Sequence, residues 1–166
     1  MFGLVQDSIV DGPGLRFSVF VQGCPHHCPG CHNPESHDPQ GGEEISVGDI
    51  ITRMLSNPLT DGLTLTGGEP FEQPVECWIL AKSAHVAGKS VWAYTGYTFE
   101  EIMEHGDQTH RALLSVVDVL VDGPFKLEDR TLSLPWRGSK NQRIIDVQAS
   151  LECGSVVLWK GGEGDD

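Results

Sequence analysis

Leu15-Arg16-Phe17-Ser18-Val19-Phe20-Val21-Gln22-Gly23-Cys24-Pro25-His26-His27-Cys28-Pro29-Gly30-Cys31 is the stretch on which the fold turns. Its first half is dense in Phe and Val, which predicts a β-strand. Asp11-Gly12-Pro13-Gly14 in front of it is a strong turn signal. Apolar periodicity then stops between Gly23 and Gly42, where Pro25, Pro29, Pro34 and Pro39 accompany three cysteines and His26, His27, His32 and His37. A loop this long is uncommon in a small domain unless it is functional or disordered. A bound metal would order it.

Downstream, helical and extended signals alternate. Ser46 caps a helix carrying Val47, Ile50, Ile51, Met54 and Leu55, which ends at Asn57-Pro58. Leu63 to Thr66 is a short strand closed by Gly67-Gly68-Glu69-Pro70. A helix over Val75 to Val86 stops at Gly88, and Ser90 to Thr95 is the next strand. Thr98-Phe99-Glu100-Glu101 fits a capping box, Leu113-Leu114 belongs to a further helical piece, and Val116 to Val121 reads as a buried strand. Gly123 to Lys140 is a polar connection. Gln142 to Val147 and Ser155 to Trp159 look like strands with no helix between them, and Gly161 to Asp166 is expected to be a disordered tail after a single domain over residues 1–160.

This alternation implies an α/β fold with mostly parallel strands. Ligands sit at the carboxyl ends of such strands. The cysteine loop follows one strand and Gly67-Gly68-Glu69-Pro70 the next, so both are expected on one rim of the sheet.

Composition narrows the function. The 166 residues include 24 acidic and 11 basic side chains, a formal charge of −13. Such a chain repels phosphate backbones, so nucleic acid and membrane are not expected partners. No apolar run reaches the ~20 residues of a membrane helix. Met1 to Asp7 lacks a basic segment ahead of an apolar stretch, so a cytoplasmic location without a signal peptide is expected. Five cysteines, an odd number, argue against a disulfide framework.

Cys24, Cys28 and Cys31 have the spacing C-x3-C-x2-C. Ordinary buried cysteines do not usually cluster in a polar, proline-rich loop. A zinc site could add one of the nearby histidines, although such sites usually pair two distant knuckles. An iron–sulfur cluster is the third reading; most use four cysteines, so three would leave one iron open to a substrate or cofactor. Cys77, in a helix beside Trp78 and Ile79, reads as core, and Cys153 near a turn has no assigned role.

C-x3-C-x2-C after one strand, with Gly67-Gly68-Glu69-Pro70 after the next, resembles the radical S-adenosylmethionine (SAM) enzymes. Asp11 to Phe17, Gln22-Gly23-Cys24 and Cys31-His32-Asn33-Pro34-Glu35 narrow the resemblance to the glycyl-radical-enzyme activases. Cys28-Pro29-Gly30-Cys31, Trp92 to Tyr97, Val119 to Phe125 and Arg137 to Arg143 are most similar to the branch that activates anaerobic ribonucleoside-triphosphate reductase. The resemblance spans roughly Gly3 to Val147.

The resemblance implies an incomplete (β/α) barrel of the radical SAM type, because a full one needs ~200–250 residues. It implies a [4Fe–4S] cluster on Cys24, Cys28 and Cys31. It further implies reductive cleavage of SAM and a glycyl radical on the large subunit of the reductase, with flavodoxin or ferredoxin as the kind of electron donor. Gly67 and Gly68 would let the backbone approach the methionyl group, and Glu69 would offer its ammonium a carboxylate. Gly30 and His32 would border the adenine; Gly30 stands where many relatives carry an aromatic residue, which leaves His32 as a candidate contact. Asp122 lies where related activases place an acid near the cofactor, and Pro124 replaces a lysine of the pyruvate formate-lyase activases. Its other reading is a strand-end carboxylate capping a turn.

Some features have blander readings. Asp11 to Gly14 reads as a turn before a partner contact, and Arg137 to Arg143 as a solvated loop before one. His26 and His27 read as solvent-facing rather than as ligands. Two other functions compete: activation of pyruvate formate-lyase or another glycyl radical enzyme, and a non-catalytic zinc-binding interaction module.

Overall fold

Six strands hydrogen-bond in chain order into one sheet, and the inner four run parallel. The structure is a computed structural model that describes residues 3–8, 12–24, 26, 45–124, 126, 136, 139 and 141–160. Its strands are β1 (Gly3–Ser8), β2 (Arg16–Val21), β3 (Gly62–Gly67), β4 (Ser90–Tyr94), β5 (Val119–Asp122) and β6 (Arg143–Asp146). The helices are α1 (Val47–Leu55), α2 (Pro74–Val86), α3 (Phe99–His105), α4 (Gln108–Ser115) and α5 (Val147–Cys153). Strands β1 and β6 are antiparallel edges. Parallel neighbours joined in sequential order by right-handed crossovers place all their helices on one face. The result is an open, singly wound α/β sheet, compatible with an incomplete barrel.

Period-two alternation divides the faces. Phe17, Val19 and Val21, with Leu63, Leu65, Val91, Ala93 and Leu120, pack against Ile50 and Met54 of α1, Leu80 and Ala84 of α2, and Leu113 and Leu114 of α4. The opposite face carries Arg16, Ser18, Thr64 and Trp92. There Trp92 meets Trp136 and Trp159 edge to face, at 5.2 and 4.9 Å between centroids. Arg16 is buried, yet its guanidinium is well solvated by the protein. It donates to Thr64 Oγ1 at 2.7 Å, Leu63 O at 2.8 Å and Pro13 O at 3.1 Å, and lies over the Trp92 ring.

Local signals end the elements as their chemistry dictates. Ser46 accepts the Asp49 N–H and opens α1, and Thr98 with Glu101 forms a capping box on α3. Gly88, at φ 76°, closes α2 in a conformation that other residues avoid.

Three expectations are corrected. The strand over residues 15–22 is not the first, because β1 precedes it. An edge strand binds through its backbone, and β1 shifts register between Val5 and Ser8, so its side-chain pattern is weak. The segment between the last two expected strands is helical: Asp146 accepts the Ala149 N–H, α5 follows, and Gly154 at φ 78° ends it. Ser155 to Trp159 consequently forms no full strand; it makes one antiparallel bridge, Ile145 with Leu158. Finally, β5 starts at Val119, because Val116 and Val117 sit in the buried turn leaving α4. Most of the Gly123 to Lys140 connection and the tail from Gly161 to Asp166 lie outside the described residues. No helix among the described residues is long and apolar enough to cross a membrane.

Candidate active site

Two glycine turns bring the segments after β2 and β3 together. Gly23 (φ 98°) and Gly67 (φ 94°) turn the chain at neighbouring strand ends. The Gly68 N–H donates to Val21 O at 2.8 Å, and the Glu69 N–H to Gly23 O at 2.8 Å. A Cβ on Gly67 would stand 2.6 Å from Phe20 Cα and Val21 N, and one on Gly68 2.5 Å from Gly23 O. The pair is therefore glycine because the turn lies directly on the backbone of β2. Gln73 adds a side-chain bond to Gln22 O at 2.6 Å. Cys24 follows immediately, half-buried on this rim.

Glu69 is the best-anchored acid of the rim. Its side chain is 1% exposed. Oε2 accepts the Thr95 hydroxyl at 2.8 Å and the Phe71 N–H at 3.1 Å, the second of which caps a 3-10 turn over Pro70–Glu72. Oε1 accepts the Gly96 N–H at 2.8 Å and lies 2.6 Å from His26 Nε2. Facing an ionised carboxylate, that nitrogen carries its proton.

His26 is held on three sides. Its ring meets Tyr97 edge to face at 4.5 Å, and a Cβ on Gly96 would stand 2.5 Å from its Cδ2. Burial lowers the His26 pKa, but the bond and charge of Glu69, helped by Glu72 and Glu101, outweigh it and raise the value above 6.5. Tyr97 donates to Glu72 at 3.1 Å, and burial together with the Glu72 and Glu69 charges pushes its phenol well up. The expectation of a solvent-facing His26 is thus corrected: only 16% of its side chain is exposed, because the turn after β3 offers it the Glu69 carboxylate and the turn after β4 the edge of Tyr97.

Asp122 ends β5 at the same carboxyl rim and is 1% exposed. It accepts the Phe99 N–H at 2.8 Å at the start of α3, and Arg143 donates to both its oxygens at 3.0 and 2.6 Å. Arg143 also binds Glu100 at 2.6 Å. The two carboxylates hold its pKa above the usual arginine value. Backbone bonds join this end to the Glu69 end: Thr95 N–H to Val121 O at 3.0 Å and Gly123 N–H to Tyr97 O at 2.9 Å.

Of the residues singled out from sequence, the structure gathers Cys24, Gly67, Gly68 and Glu69 and places Asp122 farther along the rim. Cys28, Cys31, Gly30, His32 and His27 lie outside the described residues. Cys77 is buried on the inner face of α2, as expected, and burial, with the charges of Glu76 and Glu69, pushes its thiol far above the ordinary range. Cys153 is exposed at the end of α5. Sequence reasoning overlooked Thr95, Gly96 and Tyr97 as site residues. The signal was available, because they follow β4 and the rule that placed the two earlier loops on the carboxyl rim applies equally to the third.

The rim fits a thiolate-held metal centre. Cys24 emerges partly exposed behind a glycine turn, and the spacing C-x3-C-x2-C makes Cys28 and Cys31 the candidates for two further soft donors. It also fits a cationic ligand, because among the described residues the side-chain donors to the buried Glu69 carboxylate are a hydroxyl and an imidazole.

Comparison with known proteins points to an iron–sulfur centre. Residues 10–145 match the family described as a 4Fe-4S single cluster domain. The chain is 35% identical over 146 residues to the anaerobic ribonucleoside-triphosphate reductase-activating protein of Haemophilus influenzae, covering 82% of this chain and 90% of that protein. The protein of that name from Enterobacteria phage T4 is 35% identical over 141 residues, covering 81% and 86% of the two chains. That of Escherichia coli K12 is 34% identical over 146 residues, covering 82% and 91%. With a cysteine loop, a Gly-Gly-Glu turn and a match over most of its length, the chain belongs to the family of anaerobic ribonucleoside-triphosphate reductase-activating proteins.

Proposed function

We propose that this chain activates an anaerobic ribonucleoside-triphosphate reductase by generating a glycyl radical on its large subunit, using SAM and a [4Fe–4S] cluster held by Cys24, Cys28 and Cys31. The observation that carries this reading is the junction of Cys24 with the Gly67-Gly68-Glu69 turn through the Gly23 O to Glu69 N–H bond of 2.8 Å. It ties the residue before Cys24 to the backbone of Glu69 at the carboxyl ends of adjacent strands.

When bound, the cluster and SAM supply the chemistry: reductive cleavage of a sulfonium carbon–sulfur bond, followed by removal of a hydrogen atom from a glycine of the reductase. The chain's own residues bind, orient and shield. Glu69 is the acceptor for the ammonium of SAM, and Gly67 and Gly68 keep that acceptor tight against β2. Gly30 and His32 are assigned to the adenine side. Asp122 fixes the far end of the rim through Arg143 and α3. An open winding of the radical SAM type would leave one side of the rim reachable by a loop of a large protein. Flavodoxin or ferredoxin is the class of donor that supplies the electron.

The test is electron paramagnetic resonance of the anaerobically reconstituted, reduced protein mixed with SAM and the large subunit of the reductase, with 5′-deoxyadenosine measured in the same tube. A glycyl radical signal that disappears with Cys24→Ala is the expected result. Deoxyadenosine without the radical would keep the SAM chemistry and overturn the partner. Neither product from a protein with a full cluster would overturn the reading.

A further inference from the structure

A carboxylate offers about four lone-pair positions, and all four of Glu69 are taken. Gly96 N–H and His26 occupy Oε1; Thr95 Oγ1 and Phe71 N–H occupy Oε2. An incoming ammonium therefore cannot simply be added. It must replace one of these donors, and the four differ in how readily they leave.

Phe71 N–H and Gly96 N–H are main-chain groups. The first belongs to the 3-10 turn that Glu69 caps, and the second to the turn after β4. Removing either means rebuilding the rim. The Thr95 hydroxyl is buried, and its oxygen also accepts the Tyr97 N–H at 3.1 Å. His26 belongs to neither of these turns; it lies in the segment after β2. It is a partly exposed side chain that can turn into water about its own rotatable bonds, which restores the hydration lost by burial. Exchange there swaps one N–H donor for another and leaves no buried carboxylate oxygen short of a partner.

We propose that His26 and the α-ammonium of SAM are alternative occupants of Glu69 Oε1, so that His26 holds the acceptor in the ligand-free chain and leaves it when SAM binds. This rests on the reading of the chain as a SAM-binding protein. His26 is thereby a positioning residue that weakens SAM binding through competition. Gly96 is the partner that makes room for it, since any Cβ there would overlap the imidazole.

The experiment is anaerobic calorimetric titration of SAM into the cluster-loaded full chain, with iron and sulfide content matched between variants. His26→Ala should bind SAM about tenfold more tightly, the worth of one charge-assisted bond no longer in competition. His26→Gln, whose amide still donates, should stay within about twofold of the parent chain. Gly96→Ala evicts the ring while leaving every residue of the cysteine loop unsubstituted and should also tighten binding, which keeps the test decisive if His26→Ala loads its cluster poorly. The gain should vanish for a SAM analogue lacking the α-ammonium. Unchanged or weaker SAM binding in both His26→Ala and Gly96→Ala overturns the exchange, as does an equal gain with the deaminated analogue. A parent chain that binds no SAM overturns instead the reading on which the exchange rests.

Discussion

Glu69 and Asp122 invite direct comparison. Each follows or ends a parallel strand on the same rim, and each has a side chain 1% exposed. Their partners differ in kind. Asp122 meets a guanidinium, Arg143, which is itself tied to Glu100, so its charge is balanced by a cation built into the scaffold. Glu69 meets two backbone N–H groups, a hydroxyl and an imidazole, and among the described residues no Lys or Arg is a partner. A buried carboxylate with an internal cation is a fixture of the fold. One held mainly by neutral donors keeps its charge available to a cation that arrives from outside.

The glycines beside the two acids extend the contrast and produce the largest expected effect. Gly67 lies on the backbone of β2, whereas a Cβ on Gly123 (φ 99°) would meet nothing closer than Asn141 Nδ2 at 3.6 Å. Gly67→Ala should cost about 3–4 kcal/mol, combining overpacking with left-handed strain. Gly123→Ala should cost about 1–2 kcal/mol, the strain alone. Urea unfolding of both variants measures the gap, and equal losses would erase the distinction between a packed turn and an open one.

Glu69→Gln should raise the SAM dissociation constant about 10- to 100-fold, because its amide replaces a charged acceptor and turns a donor toward donors. Asp122→Asn should appear instead as about 2 kcal/mol of lost stability. That is less than the loss of a fully buried pair, since Arg143 is 33% exposed and keeps Glu100. Calorimetric titration and urea unfolding on the same two proteins test the pairing. If Asp122→Asn unfolds like the parent chain while SAM binding weakens, the two acids belong together and the comparison fails.

The smallest effect is in acid. The Arg143 bond holds Glu100 below its usual 4.5, against a smaller opposing contribution from burial. A depressed carboxylate stabilises the fold at pH above its unfolded value and loses that contribution as the pH falls through its folded one. The stability difference between the parent chain and Glu100→Gln should therefore be steady above about pH 4.5, shrink on acidification below it, and shrink with added salt. The side chain of Glu100 is about half exposed, so the difference is a minor one.

Much of this architecture was readable residue by residue. Ser46, Thr98 with Glu101, and Gly88 mark helix ends because caps and left-handed stops are local chemistry. Phe17, Val19 and Val21, like Leu63 and Leu65, announce strands because burial on a sheet selects for them. The losses occurred where local pattern is thin. Strand β1 is held by edge hydrogen bonds that leave little imprint on side chains. The seven residues of α5 carry only Val147 and Leu151 as apolar members facing the core, too few for a period.

The sequence alone determined the candidate donors: three cysteines at metal-binding spacing, a Gly-Gly-Glu turn, and the rule that parallel strands deliver such loops to one rim. Only the tertiary structure decided who holds whom. His26 reaches Glu69 across 43 residues, Thr95 across 26, and Arg143 reaches Asp122 across 21. Spacing and propensity act over a few residues, whereas pairing of a buried charge depends on which strands lie side by side. That is why the exchangeable partner of Glu69 could be identified only in the folded chain.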